Sequence, residues 1–156
     1  MDDRAFLRHT LATLAYRAGK AVRDAPPHFA GFVVGSTSRT PVAVLAHMGD
    51  LFDWALSMAR GPETWRNATP LAWDDEVQRF FAAIQAFDDY LARGEPLAAT
   101  PQRLFQGPVA DALTHTGQLT MLRRLADSPI KGENYSRAEI TAGVVGMSQP
   151  TPKREF

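Results

Sequence analysis

Asp111 and His115 stand four residues apart in 111-DALTHTGQLTMLRRL-125, a stretch whose leucines and methionine call for a core. An i, i+4 pair lies on one face of a helix, about 6 Å apart along the axis. That is the spacing at which a single helix offers two ligands to one ion, as the two histidines of HExxH metalloproteases do. The stripe continues through Gln118, Leu122 and Leu125, so the pair faces the side that becomes core further along. A second reading of Asp111 stays open: in the first turn of a helix a carboxylate is favoured by the macrodipole whatever its chemistry.

His47 shares a stripe with Val44, Leu51, Trp54 and Met58, so a straight helix turns it toward an apolar side. Burial there demands a partner, either a metal, a backbone carbonyl or a carboxylate such as Asp50. His28 follows two prolines and is read as meeting solvent or a backbone carbonyl, and His9 as a partly exposed helix residue. The chain has no cysteine, so a metal must be held by His, carboxylate, carbonyl or water.

These side chains must be carried by helices. Asp2 and Asp3 announce a helix over about 2–23, with Leu7, Leu11, Leu14 and Ala18 on one face, ended by Pro26-Pro27. The connection 24–40 is expected to pack Phe29, Phe32 and Val33 on a helix surface. Thr40-Pro41 marks the start of a helix over 41–60, stopped by Gly61-Pro62, with apolar residues nearly all round. Acidic residues 74–76 open a helix over 74–93, and Gly107-Pro108 a fourth over 108–126, after a short turn near 102–105. Residues 127–156 read as a tail lying on the helices, its last residues loosely held. Four helices of this length point to one all-α domain, a four-helix bundle over residues 1–156, in which the long 24–40 connection allows a crossover.

With 17 basic and 17 acidic side chains the formal charge is zero, which argues against nucleic-acid binding through many phosphates. The opening MDDRAF has no basic region followed by an apolar run, and no stretch reaches eighteen apolar residues. The expectation is a cytoplasmic protein with no membrane span.

The block HTGQLTMLRRLADSPI, after a helix with one inward His in PVAVLAHMGDLFDWAL, resembles the DinB/YfiT-like superfamily of metal-binding four-helix bundles. The resemblance covers both motif helices and, less specifically, the layout to about residue 126. Members of that family place one His on the second helix and an HxxxH pair, often followed by Gly-Gln, on the last. On this resemblance His47 corresponds to the second-helix ligand and His115, ahead of Thr116-Gly117-Gln118, to the second His of the pair. The first His of the pair falls on Asp111. Either Asp111 is a third ligand, giving a set that leaves coordination positions open, or it serves only the helix start and the site has lost a ligand.

The resemblance implies a divalent cofactor, with zinc, nickel, iron and manganese not distinguished. Members of the superfamily act as S-transferases and isomerases dependent on low-molecular-weight thiols such as bacillithiol or mycothiol. It therefore implies metal activation of a small thiol cosubstrate for attack on an electrophile. Asp50, Asp53 and Gln118 are candidates to orient the histidines, and Tyr135 to fold over the open face. Arg123 and Arg124 suit an anionic cosubstrate or the negative end of the helix dipole. A competing class is a non-catalytic interaction module: the aromatic content and the apolar second helix suggest a patch covered by a second copy, and homodimers are common in the family resembled.

Overall fold

A computed structural model describes residues 2–156, and the described chain is all-helical, with four long helices and no β-strand. α1 (Asp3–Val22) starts where the Asp2 side chain accepts the Ala5 N–H at 2.7 Å and buries Leu7, Leu11, Leu14 and Ala18. α2 (Pro41–Arg60) starts where Thr40 Oγ1 accepts the Ala43 N–H, with Pro41 in the first turn, where a missing donor costs nothing. It ends at Gly61, whose φ of 63° lies in the region that favours glycine. α3 (Trp73–Ala92) runs one residue earlier than expected, and the buried Glu76 side chain reaches back to accept the Leu71 N–H at 2.9 Å.

The fourth helix departs most from expectation. Gly107-Pro108 does not open it. The helix begins at Thr100, whose Oγ1 accepts the Arg103 N–H, and runs through α4 (Pro101–Leu104), a π-turn (Phe105–Val109) and α5 (Ala110–Leu125) with right-handed helical dihedrals at each junction. Pro108 has no N–H to give the Leu104 carbonyl, so the α-ladder cannot close there. The chain takes a wider turn instead, in which the Ala110 N–H bonds back to the Phe105 carbonyl.

Hydrogen bonds between the ends of elements give the topology. Arg4 donates to the Glu95 carbonyl, Gln102 to Asp3 at 3.4 Å, Arg103 to Glu63 at 3.3 Å, and the Ala98 N–H to the Ala59 carbonyl at 2.8 Å. The starts of α1 and α4 and the ends of α2 and α3 therefore share one end of the molecule. At the other end Arg123 donates to the Ala21 and Arg23 carbonyls, 3.0 and 2.9 Å away, and Phe29 packs on Trp73. Thus α2 and α3 run parallel, and α1 and α5 run parallel in the opposite sense. α1 packs against α3 and α5, as does α2, so α1 and α2 face each other diagonally. The 24–40 connection crosses the end of the bundle, as its length allows. It buries Phe29 and packs Phe32 and Val34 on the core, whereas Val33 points outward, 66% exposed.

Parallel α2 and α3 cannot be joined by a tight turn, so residues 61–72 run back along the bundle as an extended strap. Its Thr64 N–H bonds Ser57 Oγ, its Ala68 N–H bonds Asp50, and its Leu71 N–H bonds Glu76. Arg79 clamps the two parallel helices, donating to the Ala46 carbonyl, to Glu76 at 2.9 Å, to Asp53 at 3.0 Å and to Asp50. Burial alone would lower the Arg79 pKa, but its hydrogen bonds to Asp50, Glu76 and Asp53 outweigh that and raise it. The guanidinium lies against Gly49, where a Cβ would come within 2.9 Å of it.

The tail lies on the bundle as expected, but its end is not loose. The side chain of Glu133, fully buried, accepts from Tyr16 Oη at 2.7 Å and Lys20 Nζ at 2.8 Å. Around it the Asn134 N–H bonds the Arg154 carbonyl at 2.9 Å and the Phe156 N–H the Gly132 carbonyl at 3.0 Å. Among the described residues no helix is long and apolar enough to cross a membrane. None of the exposed large hydrophobic side chains belongs to α2, because α3 and α5 take up its apolar circumference.

Replacing Arg79 by Met strands the buried carboxylates of Asp50 and Glu76 and should cost about 3–5 kcal/mol in urea unfolding. Arg124→Met, at an exposed position, should stay within about 0.5 kcal/mol. Glu133→Ala should leave the helical circular dichroism intact while limited proteolysis cuts residues 127–156 markedly faster, since Lys20 and Tyr16 lose their buried acceptor.

Candidate metal centre

His47 sits on the second turn of α2, and the core positions Val44, Leu51 and Met58 of its stripe hold that face inward. α5 crosses this face running the opposite way and presents Asp111 and His115 on successive turns. The three side chains meet: His47 Nε2 lies 3.4 Å from Asp111 Oδ2, and His115 Nε2 lies 3.4 Å from Asp111 Oδ1. Among the described residues they form a group able to hold a metal ion, each offering a ligand atom within 4.8 Å of the others. The imidazoles stand nearly perpendicular, 87° apart, with centroids separated by 4.8 Å.

The donor set fits a divalent ion. Bonds of about 2.0–2.2 Å at a tetrahedral angle put ligand atoms roughly 3.3–3.6 Å apart, and each histidine stands at such a distance from a different oxygen of Asp111. Those separations are too long for strong hydrogen bonds, whose usual range ends near 3.2 Å. Exposure is graded across the set: the side chain of His115 is 11% exposed, that of His47 19% and that of Asp111 46%. The open side of the cluster is therefore the carboxylate's side.

Two features tune the histidines. His115 Nδ1 donates to Gln118 Oε1 at 2.7 Å, one turn along α5, which leaves the Nε2 lone pair facing Asp111. Burial first, and the Arg39 charge second, hold His47 below the usual histidine range, against the opposing Asp111 hydrogen bond. The neutral imidazole that a metal requires is thus favoured.

The composite helix changes the reading of Asp111. Its first turn follows Thr100, and Asp111 stands about three turns further in. The positive end of the dipole falls off within the first turn. A carboxylate acting only at a helix start is therefore not what this residue is.

Other expected roles are redistributed. Gln118 does orient a histidine, while Asp50 and Asp53 serve Arg79 instead, and the carboxylate beside His47 is Asp111. Arg123 is buried and caps the end of α1, with a further bond to the Ser128 carbonyl, so it is not free for a cosubstrate. Tyr135 packs edge-on against Tyr16 and under Arg17, between α1 and α5, away from the cluster. His9 is exposed, and His28 Nε2 bonds the Ala126 carbonyl at 3.2 Å.

One residue was not singled out for the site from sequence. Trp65, on the extended strap, lies with its ring centroid 5.7 Å from that of His47 and 5.7 Å from that of Trp54. The Trp54 indole N–H is fixed by Glu63 at 3.0 Å. Nothing in the local pattern of PETWRNATPLA marked it, because its neighbour His47 is distant in sequence, on α2.

Comparison with protein-family models, with curated proteins and with solved structures yields no match.

Titrating the metal-stripped protein with Ni²⁺ or Co²⁺ should quench the emission of Trp65, with no quenching in His47→Ala or His115→Ala at the same concentrations. Gln118→Ala should keep the fold and weaken the metal affinity by about 10–100-fold.

Proposed function

We propose that this chain is a metal-dependent enzyme of the DinB/YfiT-like type, in which His47, Asp111 and His115 hold a divalent ion and a low-molecular-weight thiol is activated for S-transfer or thiol-dependent isomerisation. The observation that carries this reading is the convergence of three neutral or anionic donors at an accessible cluster. A structural metal site is closed by protein ligands, whereas three ligands and an open side suit reaction chemistry.

A divalent ion supplies Lewis acidity there, which draws down the pKa of a thiol or water. The chain's own part is to hold the donors in place. Gln118 fixes the His115 ring and its tautomer by accepting the Nδ1 proton. The edge-to-face Trp65 ring limits the freedom of the His47 ring and covers one side of it. Asp111, the most exposed of the three donors, contributes the negative charge. With no cysteine in the chain, a thiol nucleophile must arrive with the ligand.

A second reading, a dimeric binding module, draws on Met121 and Leu125. They lie one turn apart on α5, 55% and 49% exposed, and form an apolar edge suited to a second copy.

Protein purified without a metal-affinity tag should contain close to one metal per chain, lost in His47→Ala and in His115→Ala. The loaded protein should consume a small thiol together with a generic electrophile faster than the metal-free protein does. Metal content unchanged in both variants would overturn the site. Full loading without turnover across several metals and thiols would favour the binding module.

A further inference from the structure

A cavity of about 460 Å³ opens directly beside the cluster, within the size range of small-molecule sites. It is lined by Thr37, Ser38 and Arg39 from the end of the crossing connection, by Val44 from α2, and by His115, Gln118, Met121 and Leu122 from α5. His115 belongs to both cavity and cluster, so a molecule in the cavity has one end at the metal ligands.

The chemistry of the lining is one-sided. Val44, Met121 and Leu122 make an apolar wall, and no lining residue is acidic. Arg39 is exposed and forms neither a hydrogen bond nor an ion pair with any described residue, so its guanidinium is free to meet a ligand in the cavity it lines. Gln118 spends its amide oxygen on His115, which leaves its NH₂ group as a donor. Asp111 lies 3.4 Å from His115 Nε2, on the cluster side, and is not part of the lining. Arg39 is therefore the one full charge in the lining, and it favours an anion there.

We propose that this cavity is the substrate subsite and that it takes a small molecule with an apolar body and a terminal carboxylate or phosphate, the anionic group held by Arg39 and the reacting end lying at His115. This rests on the proposed reading of the cluster for what happens at the reacting end; the anion subsite itself needs no metal. Thr37 and Ser38 add hydroxyl donors to the same lining, and the apolar wall rewards an aliphatic body. Arg123, at the same end of the antiparallel α2–α5 pair, is occupied as a cap, which leaves Arg39 as the cation of this lining.

The test is calorimetric, on metal-stripped full-length protein, with hexanoate, hexyl phosphate and neutral hexanol as probes. Hexanoate or hexyl phosphate should bind at least about tenfold more tightly than hexanol, and the tighter of the two anions assigns the group. Arg39→Gln should remove that preference, Arg39→Lys should restore part of it, and Arg154→Gln in the tail should change nothing. Thermal melts of each variant should match the wild type, since Arg39 makes no contact that folding needs. Equal binding of anions and hexanol, no binding of any probe, or an anion preference that survives Arg39→Gln would overturn the proposal. His47→Ala, outside the cavity lining, separates the two readings: lost metal binding with the anion preference kept assigns the subsite alone. Failure of the metal site would leave the anion preference of the stripped protein in place.

Discussion

The arrangement of the molecule hangs on the contact between two parallel helices, and Arg79 is what pins it. A single guanidinium answers two buried carboxylates, one exposed carboxylate and a backbone carbonyl across α2 and α3. Unpaired, each buried carboxylate would carry a desolvation cost of several kcal/mol, so α2 and α3 are held in one register along their length. Parallel neighbours need a long connection, and the strap from 61 to 72 follows from that necessity. The strap in turn brings Trp65 to His47, which faces α5 on the other side of α2. One buried ion network thus sets the position of a histidine of the candidate cluster and of the ring that covers it.

The π-turn is the second constraint. Closing an α-turn on Pro108 would leave the Leu104 carbonyl without a donor, and the wider turn avoids that loss at the cost of one extra residue. One residue in a helix is roughly 100° of rotation. The turn therefore decides which face of α5 carries Asp111 and His115, while their mutual spacing is untouched. Placing the pair opposite His47 requires both the spacing, which is local, and the rotation, which depends on a wide turn upstream.

The tail shows the same logic at the other face of the bundle. Glu133 is wholly buried and would be costly there without Tyr16 and Lys20. With its carboxylate answered, the paired ends 132–134 and 154–156 close over α1. Burial and the Glu133 hydrogen bond raise the Tyr16 pKa, so the phenol stays protonated and keeps donating.

Local sequence was enough for α1, α2 and α3 and for singling out the three residues of the candidate cluster. Periodic leucines, Asp2 and Thr40 as caps, and Gly61 as a stop act within a turn or two of themselves, so α1, α2 and α3 were legible to within about one residue. The i, i+4 relation of Asp111 and His115 is a property of any helix, and the inward stripe of His47 needs only helical geometry. What local pattern misplaced was the beginning of the last helix, because Gly-Pro reads as a start unless a cap such as Thr100, about two turns upstream, is taken instead. Tertiary structure alone decided that α2 and α3 run parallel, that Asp50 and Asp53 go to Arg79, that Arg123 caps α1 and that Trp65 reaches His47. Each of those pairings joins residues distant in sequence, and the partner of a charge or a ring is chosen by where whole helices come to rest, which leaves no trace in the neighbours along the chain.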